Sequence, residues 1–200
     1  MTDNKLTYNY MIAGVGGQGT VLASKLIASA AMKKGFDART TEFIGMAQRG
    51  GSVFGHCRLG ENIFSPKIPL GKANAIIAFE PAEAVRQLPY LSKDGVVLVC
   101  DSEVKPVSGP SVGMYEGAVM IDYLKKNVQN LIIVDGQRII NESTPEHQIT
   151  KALNVVLLGA AVENGIFPFD AETLRSVFPE MLPQKFLEIN LKAFELGRST

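Results

Sequence analysis

Six residues near the start of the chain, Gly14-Val15-Gly16-Gly17-Gln18-Gly19, carry the spacing GxGxxG between a short apolar run and a helical pattern. Glycines so spaced let backbone N–H groups approach a phosphate closely, and the helix that follows turns the positive end of its dipole toward an anion. Gln18 adds a polar side chain at the helix start, placed to face a ligand or a partner. The dinucleotide form of the motif also wants an acid about 20 residues further on. Glu42, 23 residues beyond Gly19, is the candidate. The same glycines equally serve a sharp strand-to-helix corner with close helix–sheet packing, and both readings stand at this point.

A second cluster, Gln48-Arg49-Gly50-Gly51-Ser52, sets a planar cation beside a backbone rich in N–H donors, which suits a phosphate or a carboxylate. A plain surface loop with an ion-paired arginine is the alternative. Other reactive side chains are sparse. His56 and His147 have no partners at metal-ligand spacing, so no metal site is expected. Cys57 and Cys100 form no C-x-x-C pair, cannot hold a 4Fe–4S cluster within the chain, and read as inert free thiols. His56 falls in a strand pattern as a wall residue, and Glu80 before Pro81 reads as a helix-start residue. No Ser–His–Asp order, paired-carboxylate signature or thiamine-type Mg²⁺ motif can be assembled. No catalytic residue is expected here, and the chain lacks the parts of a self-sufficient enzyme.

The elements that must position these groups follow from pattern. Tyr8 to Ala13 is a buried strand, Gly14 to Gly19 the turn, and a helix runs from about Gln18 to Lys34, closed by Gly35. FDARTTEF is a second strand. SVFGHCRLGENIFSP alternates on both sides of Gly60-Glu61-Asn62 and predicts a β-hairpin there. ANAIIAF and DGVVLVC are buried strands around a helix that begins at Pro81. An amphipathic helix, the strand LIIVDG, the nearly all-apolar helix ITKALNVVLLGAAVENG and a final helix ending at Gly197 complete the chain. The expected fold is α/β: a three-layer α/β/α, Rossmann-like domain over residues 1–200 with a mixed, mostly parallel sheet and a β-hairpin insertion.

Composition narrows the function. Lys plus Arg and Asp plus Glu balance at 20 each, so no field gathers nucleic acid or an anionic membrane. No run of about 18 apolar residues occurs, and the N-terminal segment lacks a signal-type core, so a cytoplasmic location is expected. Charged residues are only 20% of the chain. That low fraction, with the apolar helix over 149–164, predicts a face buried against another chain.

Taken together, GVGGQGTVLASKLIASAA, GMAQRGGSVFGHCRLGENIFSPKIP, ANAIIAFEPAEAVRQLPYLSKDGVVLV, NVVLLGAA and EINLKAFELG resemble the gamma-type domain of 2-oxoacid:ferredoxin oxidoreductases, nearest to the small subunit of the indolepyruvate type. The resemblance spans about residues 8–197, and the ordered set GGQG, AQRGGSV, SPKIP and AFEP carries its specificity. It implies oxidative decarboxylation of an aryl pyruvate with CoA to an arylacetyl-CoA and CO₂, with ferredoxin as acceptor. It further implies a large alpha subunit that holds thiamine diphosphate, Mg and the 4Fe–4S clusters, with CoA as a possible ligand of this chain. The matching positions are Gly14, Gly16, Gly17, Gln18, Gly19, Gln48, Arg49, Gly50, Gly51 and Ser52, then Ser65, Pro66, Glu80 and Pro81. They take an interface or cofactor-proximal role. Residues 101–113 match the family pattern less well. Three alternatives remain: a gamma subunit of a pyruvate, 2-oxoisovalerate or 2-oxoglutarate enzyme, a stand-alone dinucleotide-binding module, and self-association as a homodimer when isolated.

Overall fold

The computed structural model describes residues 6–45, 50–105, 114–142 and 149–200. Its centre is a six-stranded sheet in the order β2-β3-β1-β4-β5-β6. The strands are β1 (Thr7–Val15), β2 (Asp37–Ile44), β3 (Ser52–Gly60), β4 (Ala73–Ala78), β5 (Leu91–Cys100) and β6 (Asn130–Val134). β1, β4, β5 and β6 run parallel, whereas β3 is antiparallel to both its neighbours.

Alternation along the central strands explains the three layers. Tyr10 and Ile12 of β1 join Ile77 and Leu98 in one core, under α1 (Thr20–Lys33), α5 (Leu153–Glu163) and α8 (Gln184–Arg198). Met11 and Ala13 join Ile76 and Val97 in the other, under α2 (Pro81–Gln87) and α3 (Gly117–Asn127). Strands covered on both faces read as continuous apolar runs, which is why ANAIIA and VVLVC carry no polar alternation. The shorter helices α4 (Gly136–Asn141), α6 (Ala171–Ser176) and α7 (Phe178–Met181) complete the set. α1 closes as expected: Gly35 takes φ +83°, its N–H reaches the Met32 carbonyl, and Phe36 reaches Ala31.

Two expectations change. The antiparallel hairpin is formed by β2 and β3, joined through residues 45–51, and not by the two sides of Gly60-Glu61-Asn62. Residues 61–72 pair in no strand. Pro66 and Pro69 lack ladder N–H groups, and the segment is instead pinned across the sheet. Arg58 Nη1 donates to the Ser65 carbonyl at 3.0 Å, and the Ile68 N–H donates to His56 Nδ1 at 2.9 Å. Ile63 and Ile68 are thereby buried while Phe64 stays 90% exposed.

The apolar helix is not free for subunit packing either. Every residue of α5 from Asn154 to Val162 is buried within the chain. α8 lies against it so closely that a Cβ added at Gly159 would overlap the Phe194 carbonyl, and one at Gly197 the Val156 carbonyl. Apolar surface is exposed elsewhere. Phe43, whose ring stacks on Phe54 at 4.8 Å, is 38% exposed. Beside it Ile44 is 70% exposed.

Candidate functional site

The parallel strands β1, β4 and β5 end on one edge, where the glycine turn, Gly50, Gly51, Ser52, Glu80 and Pro81 lie, whereas Ser65 and Pro66 lie by Arg58, toward the other end of β1. β1 stops at Val15 and the chain turns through Gly16–Gly19 into α1. Gly17 and Gly19 take φ +97° and +79°, values that L side chains rarely adopt. Gly14 lies inside the strand, buried, and a Cβ there would press on the Gln18 carboxamide, the Phe79 ring and Thr20. Its missing side chain is what lets Gln18 fold back. Gln18 Oε1 accepts from the Val15 N–H at 2.8 Å, and Nε2 donates to the Phe79 carbonyl at 3.1 Å. Gln18 thus staples β1 to the end of β4, and both ends of its carboxamide are already engaged.

The two motifs, separated in sequence by more than a strand, form one edge. The Gly16 N–H donates to the Gly51 carbonyl at 2.9 Å, and Val15 stands opposite Ser52 in the β1–β3 register. Gly50 takes φ +66°. Gln48 and Arg49, expected to supply the polar end of this loop, lie outside the described residues, as does His147.

A buried acidic pair adjoins this edge. Glu80 and Glu83, 2% and 4% exposed, begin α2. Glu80 is the N-cap, accepting from the Glu83 N–H at 3.1 Å, which bears out its helix-start reading. The Tyr115 hydroxyl donates to its other oxygen. The Ser52 hydroxyl donates to Glu83 at 2.5 Å, and Arg86 pairs with Glu83 at 3.1 Å. Burial holds the Glu83 carboxyl above its ordinary value, against the opposing pull of Ser52 and Arg86. Burial and the Glu80 carboxylate together push the Tyr115 hydroxyl up, so it stays protonated and donates. The sequence marks Glu80 and Ser52 separately but not their connection: Ser52 reaches Glu83 from 31 residues before it, and Tyr115 reaches Glu80 from 35 residues after it.

The other candidates are walls. His56, 3% exposed, sits among Phe43, Phe54 and Tyr90, and burial lowers its pKa, so it is neutral. Both thiols are buried: that of Cys57 is pushed up to about 12 by burial, and Cys100 is raised by the same cause. Neither is a thiolate at neutral pH. Glu42 cannot play the ribose-binding acid. Antiparallel β3 stands between β2 and β1, which sets Glu42 two strand spacings, ~10 Å, from β1. Its side chain lies beside Gly55 of β3, its partner in the β2–β3 register.

This edge belongs to a mixed six-stranded sheet with one inserted antiparallel strand, flanked by helices on both faces, which makes the chain a three-layer α/β domain. The chain belongs to the pyruvate ferredoxin/flavodoxin oxidoreductase family, whose pattern matches residues 9–200. It is 36% identical over 195 residues to indolepyruvate oxidoreductase subunit IorB of Thermococcus kodakarensis, covering 95% of this chain and 94% of that one. The protein of the same name from Pyrococcus horikoshii is 37% identical over 194 residues, with the same coverage. The common gamma subunit of the pyruvate/ketoisovalerate oxidoreductases of Pyrococcus abyssi is 27% identical over 187, which covers 91% of this chain and 92% of that one. The crystal structure of the gamma subunit of a keto/oxoacid ferredoxin oxidoreductase from Geobacter sulfurreducens superposes with a TM-score of 0.65 at 25% identity, covering 96% of each chain. These are names of subunits, and they imply larger partner chains in an oxidoreductase complex.

Proposed function

We propose that this chain is the small subunit of a heteromeric indolepyruvate (aryl pyruvate):ferredoxin oxidoreductase. The complex oxidatively decarboxylates an aryl 2-oxoacid with CoA, giving the arylacetyl-CoA and CO₂, and passes the electrons to ferredoxin. Thiamine diphosphate, Mg and the 4Fe–4S clusters belong to the large partner. The observation that carries this reading is the gap in identity, 36–37% to the indolepyruvate subunits against 27% to the common gamma subunit, each over nearly the whole chain.

The chain's own part is to dock and to complete an edge. Gly17 and Gly50 flank the Gly16–Gly51 hydrogen bond there, next to Ser52, and Gln48 and Arg49 adjoin them in sequence. The loop side of this edge meets the partner and the phosphates of CoA. Exposed Phe43, Ile44 and Phe64 supply the apolar part of the contact.

Co-expression with a large thiamine- and cluster-bearing subunit tests the proposal. The two chains purify together, and oxidation of indole-3-pyruvate requires both. Oxidation of a 2-oxoacid by this chain alone, or a complex that prefers pyruvate to aryl pyruvates, overturns it.

A further inference from the structure

Three helices begin around a single cavity of about 540 Å³, within the roughly 300–1,000 Å³ span of small-molecule sites. α1 opens on it with Gly19 and Leu22, α5 with Ala152 and Asn154, and α8 with Pro183 and Phe186. These helices are 14, 11 and 15 residues long, and none has a side-chain cap or an acidic residue in its first turn. α1 and α8 leave N–H groups without intrahelical partners at the positive ends of their dipoles, whereas α5 continues directly from a 3-10 turn over Ile149–Ala152. Lys151 and Lys185 line the same cavity. Two uncapped starts and two lysines give it the donors and the positive charge that suit an anion. The rest of the lining is apolar: Leu22, Leu182, Phe186 and Ile189.

A second, independent observation points to a ligand. Asn154 and Asn190, 4% and 8% exposed, line the same cavity. Their carboxamide nitrogens donate to the Gly19 and Phe186 carbonyls, at 3.3 and 2.8 Å. That leaves each oxygen without a donor among the described residues. The only fully buried side-chain polar atoms lacking a partner there are Glu42 Oε1 and His56 Nε2, so the two carboxamide oxygens open onto the cavity. Asn154 is also the one buried polar side chain of α5, whose other polar residue, Glu163, lies at the exposed end, and a buried carboxamide is costly unless its polar atoms are used.

We propose that this cavity binds an aryl carboxylate. The carboxylate sits at the helix starts beside Lys151 and Lys185, and the ring lies against Leu22, Phe186 and Ile189. A ring N–H or O–H donates to a carboxamide oxygen of Asn154 or Asn190. The cavity stands on its own geometry; the choice of an aryl acid among apolar anions rests on the proposed function.

Calorimetric titration of the full chain tests the site with three probes: indole-3-acetate, inorganic phosphate and CoA. Indole-3-acetate binds one-to-one, and Lys151→Gln weakens it about tenfold or more by removing a charge-assisted contact. Ile189→Trp, which fills the apolar wall, blocks it, while a matched circular dichroism spectrum shows the fold intact. Absence of saturable indole-3-acetate binding overturns the site. So does binding that Lys151→Gln leaves unchanged, displacement by CoA, or equal affinity for inorganic phosphate. Complex formation with the large subunit, measured separately, distinguishes failure of the site from failure of the proposed function.

Discussion

Gln18 closes the corner between β1 and α1 with two hydrogen bonds that no neighbouring side chain duplicates. Gln18→Ala leaves the Val15 N–H and the Phe79 carbonyl unpaired in a half-buried setting. We expect a loss of about 1–3 kcal/mol, read from urea denaturation; a change below about 0.5 kcal/mol would mean that water replaces the carboxamide without cost. Glu83 sets a pH dependence of opposite sign to the usual paired carboxylate. Burial raises its folded-state pKa above the ordinary 4.5, so the folded chain holds this proton more tightly than the unfolded one. The contribution is therefore fully present below 4.5 and is lost as pH rises through the raised value. Urea midpoints of Glu83→Gln, collected from acid to neutral pH, should show a flatter decline than those of the natural chain. Identical slopes would remove Glu83 as the source.

At the scale of elements, the tightest joint is that between α5 and α8. Gly159 and Gly197 allow backbone-to-backbone contact there, and this contact is what lets an almost wholly apolar helix be covered within the chain. Gly197→Ala introduces a methyl group where a carbonyl already stands. A loss of about 1–3 kcal/mol or more follows from overpacking, visible as a lower midpoint of thermal unfolding. A stability equal to that of the natural chain would show that the two helices slide apart freely. The same substitution at Gly35, with φ +83° and nothing within 4 Å of an added Cβ, acts through backbone strain alone and serves as the contrast.

For the whole molecule, docking is the property to measure. Ile44→Ser and Phe64→Ser change exposed side chains, so they should leave stability within about 0.5 kcal/mol while weakening association with the large subunit. Arg49→Ala should weaken the same association by roughly 1.5–3 kcal/mol if a charge-assisted contact is lost. Surface plasmon resonance with immobilised large subunit reads all three. Unchanged affinity in every variant would move the interface to another face of the domain.

Much of this molecule is written locally. The apolar runs of β1, β4 and β5, the glycine corner, the Pro81 helix start and the Gly35 closure all follow from period, φ requirement and capping, which act over a few residues. Period 2 across GENIFSP also looked local, yet it misplaced the hairpin, because both edges of β3 are already paired, with β1 and with β2, which leaves that segment no partner on β3. The sequence by itself thus determined the layers and the corner. Only the tertiary structure decided the insertion of β3 between β1 and β2, the Ser52–Glu83–Glu80–Tyr115 chain and the cavity at three helix starts. Each of these joins residues tens of positions apart, and long-range contact is fixed by packing of the whole chain, not by the spacing of any segment.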